Sequence, residues 1–168
     1  MWVSTGASPT VFRYVDWIIT VPLQMIEFYL ILAACTAIAG GVFWRLFVGS
    51  LVMLIGGYLG EAGFINATLG FVIGMAGWIF ILYEIFAGEA SKVNAAEAPD
   101  SVKTAYNTMK WIVTIGWAIY PIGYMAGTEG WYIGIFGGIE MDVIYNVGDA
   151  INKIGFGLVV YNLAVQSK

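Results

Sequence analysis

The sequence contains no histidine, and charged residues make up only 11% of it. The absence of histidine excludes histidine-based metal centres and the most common general base of enzymes. A single cysteine, Cys35, excludes a disulfide within the chain. No run of lysine and arginine is present, so a nucleic-acid partner is not expected either. We therefore expect neither a metal site nor a conventional soluble enzyme.

Apolar residues are what the chain has in abundance, since 60% of its 168 residues are hydrophobic. Soluble domains contain about 45–50% apolar residues, and a membrane-spanning helix needs about 20 of them in succession. Apolar stretches cover residues 11–39, 45–59, 67–87, 102–126 and 139–165. We predict an all-α membrane protein in which residues 1–168 form a single bundle of five transmembrane helices. The longest connection, residues 88–101, is predicted to be a solvated loop.

The charges between these stretches predict an orientation in the membrane. Successive connections lie on alternate sides, and one side collects Arg45, Lys92, Lys103, Lys110 and Lys168. The other side carries Glu61, Glu129, Glu140 and Asp142, with Arg13 as its basic residue. Because cytoplasmic loops are enriched in lysine and arginine, we expect the C-terminus in the cytoplasm and the N-terminus outside.

The fifth stretch contains a lysine far from either membrane surface. Lys153 lies 15 residues before the C-terminus, which is roughly 22 Å along a helix and beyond the reach of its side chain. Asp149 precedes it by four residues and shares its helix face. A structural ion pair is one interpretation. The other is an amine held ready to bond covalently to a carbonyl ligand.

The first stretch carries polar residues at helical spacing. Asp16, Thr20 and Gln24 follow one another at intervals of four, and Arg13 precedes Asp16 by three. Glu27 is eleven residues beyond Asp16, within roughly 20° of the same face and about 16 Å further along the axis. Two acids at different depths could relay protons past a lysine, although polar residues that only pack between helices remain the alternative.

Aromatic residues accompany these charges. The fourth stretch contains Trp117, Tyr120 and Pro121, and Trp17 follows Asp16 directly. These rings are explained by ordinary packing, or they form the walls of a slot for a flat conjugated ligand.

Three segments together resemble one family, the proteorhodopsins among the microbial rhodopsins. RYVDWIITVPLQMIE, from Arg13 to Glu27, is similar to their third helix; GWAIYPIGY, around Trp117, is similar to the sixth; and DAINKIGFGL, around Lys153, is similar to the seventh. The resemblance covers helices three to seven, C to G, of a seven-helix bundle. The first two helices are absent, so we expect the chain to be a fragment of a longer protein, with a natural minimal form of five helices as the alternative.

The resemblance implies a light-driven outward proton pump that carries all-trans-retinal on Lys153 as a protonated Schiff base. Asp16 would be the counterion and proton acceptor, Asp149 would complete the counterion, and Glu27 would be the cytoplasmic proton donor. Arg13 would tune both aspartates, and Asp16, Thr20 and Glu27 match the family's Asp-Thr-Glu pattern for proton pumps. Further retinal-pocket positions are implied at Trp17, Met53, Gly57, Phe71, Trp78, Trp117, Tyr120 and Pro121.

The family also implies a colour, a location and partners. Gln24 matches its spectral-tuning position, where glutamine accompanies blue absorption and leucine green. We expect a multi-pass protein of the bacterial inner membrane, in contact with lipid and, by analogy, assembled as a pentamer or hexamer. A sensory photoreceptor of the same fold, a fragment without independent activity and a transporter that does not use retinal are the alternatives.

Overall fold

A computed structural model describes residues 8–136 and 140–166, and all the regular secondary structure in these ranges is helical. The helices are α1 (Thr10–Ala33), α2 (Gly41–Glu61), α3 (Ala67–Phe86), α4 (Glu89–Glu97), α5 (Asp100–Thr114), α6 (Ile119–Gly127), α7 (Ile133–Phe136) and α8 (Met141–Gln166), with a 3₁₀ turn at Gly116–Ala118 between α5 and α6.

Within the described part of the chain, four helical segments are long and apolar enough to cross a membrane. They are Thr10–Ala33, Gly41–Glu61, Ala67–Glu97 and Met141–Gln166. The fourth predicted span, residues 102–126, is instead divided into α5, the 3₁₀ turn and α6. Pro121 explains the division, because proline has no amide hydrogen to donate to the carbonyl of Trp117 and its ring crowds that carbonyl.

The helix boundaries differ from the prediction in several places. α1 ends at Ala33 rather than at residue 39, and the Thr36 hydroxyl caps the Leu32 carbonyl at 2.8 Å. α2 begins at Gly41, four residues before the predicted start. Hydropathy did not reveal these ends because the connecting residues are themselves apolar. The predicted start of the last helix, residue 139, lies outside the described residues, as does Lys168.

The prediction of a solvated loop over residues 88–101 is wrong, since α4 occupies most of it. Its Ala90 is fully buried and donates its backbone N–H to the Glu84 carboxylate at 3.0 Å. Glu84 in turn accepts from the Arg45 guanidinium at 2.9 Å. This buried carboxylate ties together α2, α3 and α4, which the polar composition of the connection did not indicate.

α2 and α3 pack closely because glycine faces glycine between them. A Cβ atom placed on Gly70 would lie 2.6 Å from Gly60 Cα, and one on Gly77 would lie 2.6 Å from Met53 N. Small residues let helix backbones approach in this way in membrane proteins. α1 packs on the other side of α2, while α8 packs on α5 and α6.

Apolar side chains cover the outside of the bundle as well as its core. Phe12, Val15 and Ile19 of α1 and Ile151 and Ile154 of α8 are each more than half exposed. Soluble monomers rarely expose contiguous apolar surface of this kind. A lipid environment explains it, because the hydrocarbon solvates these side chains as the core does.

Candidate functional site: a lysine between two carboxylates beside an aromatic cleft

The amine of Lys153 lies between two carboxylates that come from different helices. Its Nζ donates to Asp16 of α1 and, at 3.3 Å, to Asp149 one turn earlier on α8. The Lys153 side chain is 26% exposed. The structure thus brings together the lysine and both aspartates that the sequence analysis singled out, and we call them the lysine–carboxylate cluster.

The two aspartates of this cluster differ in how firmly they are held. Asp149 accepts from Trp17 Nε1 at 2.9 Å and from the Tyr120 hydroxyl at 2.8 Å, so its carboxylate is fixed by α1 and α6. The Asp16 side chain is 48% exposed. The Thr20 hydroxyl donates to the backbone carbonyl of Asp16 at 3.1 Å rather than to its carboxylate. Asp16 is therefore the more exposed partner of Lys153 and has fewer hydrogen bonds to its carboxylate.

Arg13 lies in a second charged group, at the end of the bundle where α1 begins. Its guanidinium donates to Glu61 Oε1 at 2.7 Å and to Asp142, and it stacks over the Tyr145 ring at 4.5 Å. The expected action of Arg13 on both aspartates thus involves no hydrogen bond to either of them. Trp17 lies between Arg13 and one of the aspartates, since its ring is 5.8 Å from the guanidinium and its N–H donates to Asp149.

The sequence analysis missed Asp142 and Tyr145 as members of this second group. It treated Asp142 as a surface charge, although only 16% of its side chain is exposed. The sequence held one clue to this group. Arg13 and several acids are predicted on the same membrane face, and charges that become buried there need partners of opposite sign. Tyr145 is 2% exposed, and its hydroxyl reaches Glu61 at 3.3 Å.

A cleft of about 710 Å³, a volume that includes the space at its open mouth, lies beside the cluster, since its lining residues Trp17 and Tyr120 donate to Asp149. All the pocket positions implied by the resemblance line it, and so does Gln24. The lining residues are Tyr14, Trp17, Val21, Gln24, Met53, Leu54, Gly57, Gly70, Phe71, Gly74, Met75, Trp78, Trp117, Tyr120, Pro121, Tyr124 and Tyr145. Those that had not been predicted, such as Val21 and Gly74, could have been found from helical spacing to Gln24 and Phe71.

The aromatic rings of the cleft brace one another edge to face. The Trp17 ring lies 5.3 Å from Tyr120 and 5.0 Å from Tyr145, nearly perpendicular to both. Trp78 donates its indole N–H to the Val113 carbonyl at 3.0 Å. Rings fixed in this way form a slot for a flat apolar ligand.

Glu27 lies outside both charged groups. It is half-buried on α1, three helical turns from Asp16, and it is not among the residues that line the cleft. The structure therefore places the two acids of α1 at different depths but does not bring Glu27 to Lys153.

The residues present fit a long, apolar ligand joined to Lys153. Trp17 and Tyr120 form part of the cleft wall and also hold Asp149, the hydrogen-bond partner of Lys153. Lys153 itself is not among the residues that line the cleft, and Trp17 and Tyr120 connect its partner Asp149 with the cleft wall. An ammonium or a protonated imine at this nitrogen would be neutralised by Asp16 and Asp149.

Together, the apolar helices, the lysine–carboxylate cluster and the aromatic cleft define a helical membrane protein with a charged site inside its bundle. The bacteriorhodopsin-like protein family matches residues 1–167. The chain belongs to this family.

Individual relatives agree with this assignment. The chain is 50% identical over 166 residues to the blue-light absorbing proteorhodopsin of Gamma-proteobacterium Hot 75m4, and 51% identical over 168 residues to the green-light absorbing proteorhodopsin of Gamma-proteobacterium EBAC31A08, in each case over 99% of the chain. It superposes on the crystal structure of blue light-absorbing proteorhodopsin from Med12 with a TM-score of 0.77 at 47% identity, covering 99% of this chain and 72% of that one. The chain spans 65% and 66% of the lengths of the first two relatives.

The hold on Asp149 generates a prediction. Replacing Tyr120→Phe removes a hydrogen bond to a charged group and should lower the free energy of unfolding by about 1.5–3 kcal/mol. Tyr124→Phe is the matched control, because its hydroxyl donates to a neutral carbonyl, that of Ala67, at 2.8 Å, and should cost about 1 kcal/mol. Denaturant unfolding in detergent, followed by circular dichroism, measures both. Equal losses would show that Tyr120 does not stabilise an ionised Asp149.

Proposed function

We propose that this chain is the retinal-binding part of a light-driven outward proton pump. The observation that carries the proposal is the Lys153 amine, held by Asp16 and Asp149 beside an aromatic cleft. The similarity to relatives described as proteorhodopsins supports it. Among the described residues, only the cleft beside Lys153 combines a reactive amine with a slot for a conjugated ligand.

We propose that the chain is one domain with five membrane spans. These spans would correspond to helices C to G of a seven-helix bundle. α1, α2, α3 and α8 would be four of them. The fifth would be the rod that runs from Asp100 to Gly127 through the 3₁₀ turn, about 45 Å long and therefore long enough to cross a bilayer.

Retinal would be held covalently by Lys153 and enclosed by the cleft residues, and when bound it would supply the absorption of light and a change of shape. Trp17, Trp78 and Trp117 would enclose its chain, together with Tyr120, Pro121, Phe71, Met53 and Gly57. The protein side chains would hold a positive charge at the Lys153 nitrogen, because the carboxylates of Asp16 and Asp149 lie against it.

Asp16 would accept a proton from the Lys153 nitrogen. Its carboxylate touches Nζ, and it is free of other side-chain donors among the described residues. Asp149 is less suited to that role, because Trp17 and Tyr120 already donate hydrogen bonds to its carboxylate. Thr20 would steady the α1 backbone at Asp16, and Arg13 would act through Trp17.

Glu27 would return a proton to the Lys153 nitrogen from the other side. It lies about 16 Å along α1 from Asp16, away from the end that carries Arg13, Glu61 and Asp142. With the basic face in the cytoplasm of a bacterium, Asp16 is on the outer side and Glu27 on the inner side of its plasma membrane. A proton accepted by Asp16 and replaced through Glu27 therefore moves outward.

The colour proposed is blue, and it rests on Gln24. Overall sequence identity does not distinguish blue from green absorption, because blue- and green-absorbing relatives are about equally similar to this chain. The Gln24 side chain lines the cleft. A polar amide there would stabilise positive charge near the lysine end in the ground state more than in the excited state, which widens the gap between them.

Light-driven transport tests the proposal most directly. We expect lipid vesicles or cells carrying the chain with all-trans-retinal to show a visible absorption band and light-dependent acidification outside the cell. Lys153→Ala should abolish the band, whereas Lys110→Ala, a lysine that lies over the Phe86 ring outside the cleft, should keep it. Asp16→Asn should keep a band and abolish transport.

The same assay is run on a chimera in which the blue-light absorbing relative supplies the third of its length that this chain does not span. A band without light-dependent acidification in that chimera would contradict the pump. The absence of any band would contradict the retinal assignment.

Glu27→Gln should slow the recovery of the initial absorption after a flash by roughly 10²-fold, because a positioned proton donor contributes about that much. The band itself should be unchanged. Glu89→Gln, a half-exposed carboxylate paired with Arg45, is the control and should recover normally. Recovery at the normal rate in Glu27→Gln would refute the donor role.

Gln24→Leu should move the absorption maximum to longer wavelength, because the amide beside the ligand is lost. Gln166→Leu removes an amide at the end of α8, outside the cleft, and should leave the maximum in place. An absorption spectrum of each variant measures whether the maximum has moved. A maximum that does not move in Gln24→Leu would remove the basis for a blue pigment.

A further inference from the structure

The rod formed by α5 and α6 is interrupted where it passes the cleft. The 3₁₀ turn at Gly116–Ala118 lies one turn before Pro121. Trp117 within this turn and Tyr120 just after it both line the cleft. A helix has reduced backbone hydrogen bonding at such a break. The positions of these two rings are therefore not set by the α-helix alone.

One buried side chain from another helix reaches into this break. Asn152 of α8 is 4% exposed and donates its Nδ2 hydrogen to the Gly116 carbonyl at 2.9 Å. A Cβ atom on Gly116 would overlap the Asn152 Oδ1. The absence of a side chain at Gly116 thus lets the amide lie directly on the backbone of the turn.

Asn152 is also the residue immediately before Lys153. Its hydrogen bond fixes the start of the 3₁₀ turn relative to the α8 backbone that carries the lysine. The Tyr120 hydroxyl makes a second connection to α8, through Asp149. The cleft wall is thus tied to the lysine helix at two points just before Lys153, at Asp149 and at Asn152.

We propose that Asn152 is a positioning residue that fixes Trp117 and Tyr120 relative to Lys153 by holding the Gly116 carbonyl. Its amide adds a hydrogen bond from α8 to the backbone of the 3₁₀ turn, and it sets the distance between the cleft wall and the lysine nitrogen. An effect of Asn152 on the absorption maximum rests on the proposed retinal function. An effect of Asn152 on the backbone of the 3₁₀ turn does not.

The backbone consequence is tested without any ligand. Asn152→Leu, of similar shape but without a donor, should accelerate amide hydrogen exchange over residues 115–121 roughly fivefold, as expected for one lost hydrogen bond. Asn152→Ala should accelerate exchange to a similar extent. Because alanine is too small to press on Gly116, this variant separates loss of the hydrogen bond from steric crowding by leucine. Gly116→Ala, which displaces the amide while keeping Asn152, is a further independent variant. Exchange is measured by mass spectrometry on the full chain in lipid discs.

Tyr106→Phe is the matched control for a lost bond to a carbonyl. The Tyr106 hydroxyl is fully buried and donates to the Ile85 carbonyl at 3.0 Å, outside the cleft. Its removal should leave exchange over residues 115–121 unchanged. In retinal-loaded samples, Asn152→Leu should shift the absorption maximum, whereas Tyr106→Phe should not.

The outcomes separate the two proposals. Exchange over residues 115–121 that is unchanged in both Asn152 variants overturns the positioning role, whatever the spectra show. Accelerated exchange that Tyr106→Phe reproduces also overturns it, because it would reflect general loosening. Local acceleration with an unmoved maximum refutes an effect of Asn152 on the ligand. If no sample shows a visible band, the retinal function fails, and the exchange data still decide the role of Asn152.

Discussion

A lysine amine in the middle of a membrane helix needs negative charge in contact with it, because an unpaired charge there costs at least about 2.5–3.5 kcal/mol. Lys153 satisfies this need with one aspartate from its own helix and one from α1. The interaction joins the first and last helices of the chain. It also dictates that both helices present polar groups inward at the same depth.

The second constraint is that Asp149 must itself be held in place. Trp17 and Tyr120 provide its donors, and the same two rings form part of the cleft wall. The lysine–carboxylate cluster and the cleft therefore depend on the same two side chains. Moving the Trp17 or Tyr120 ring out of the cleft wall would also break a hydrogen bond to the Asp149 carboxylate. Asp16, half-exposed and held by the amine alone among the described side chains, is the part of this cluster with freedom to change partners.

The rest of the bundle keeps these elements at fixed positions. Glycines between α2 and α3 bring the two backbones into contact, which lets Met53, Phe71 and Trp78 approach from one side of the cleft. The rod of α5 and α6 closes the opposite side and is broken at the level of Lys153 by Pro121. Arg13, Glu61 and Asp142 form a charged group at one end of the bundle.

The sequence by itself determined the membrane class, the lysine–aspartate pair and the aromatic composition of the cleft, because hydropathy and helical spacing are local properties. It also placed Asp16 and Glu27 on one face of α1. Only the tertiary structure decided that Arg13 pairs with Glu61 and Asp142, that residues 89–97 form a helix, and that Asn152 holds the Gly116 carbonyl. These contacts join residues far apart in the chain, and their partners depend on how the helices rotate and pack, which no local pattern records.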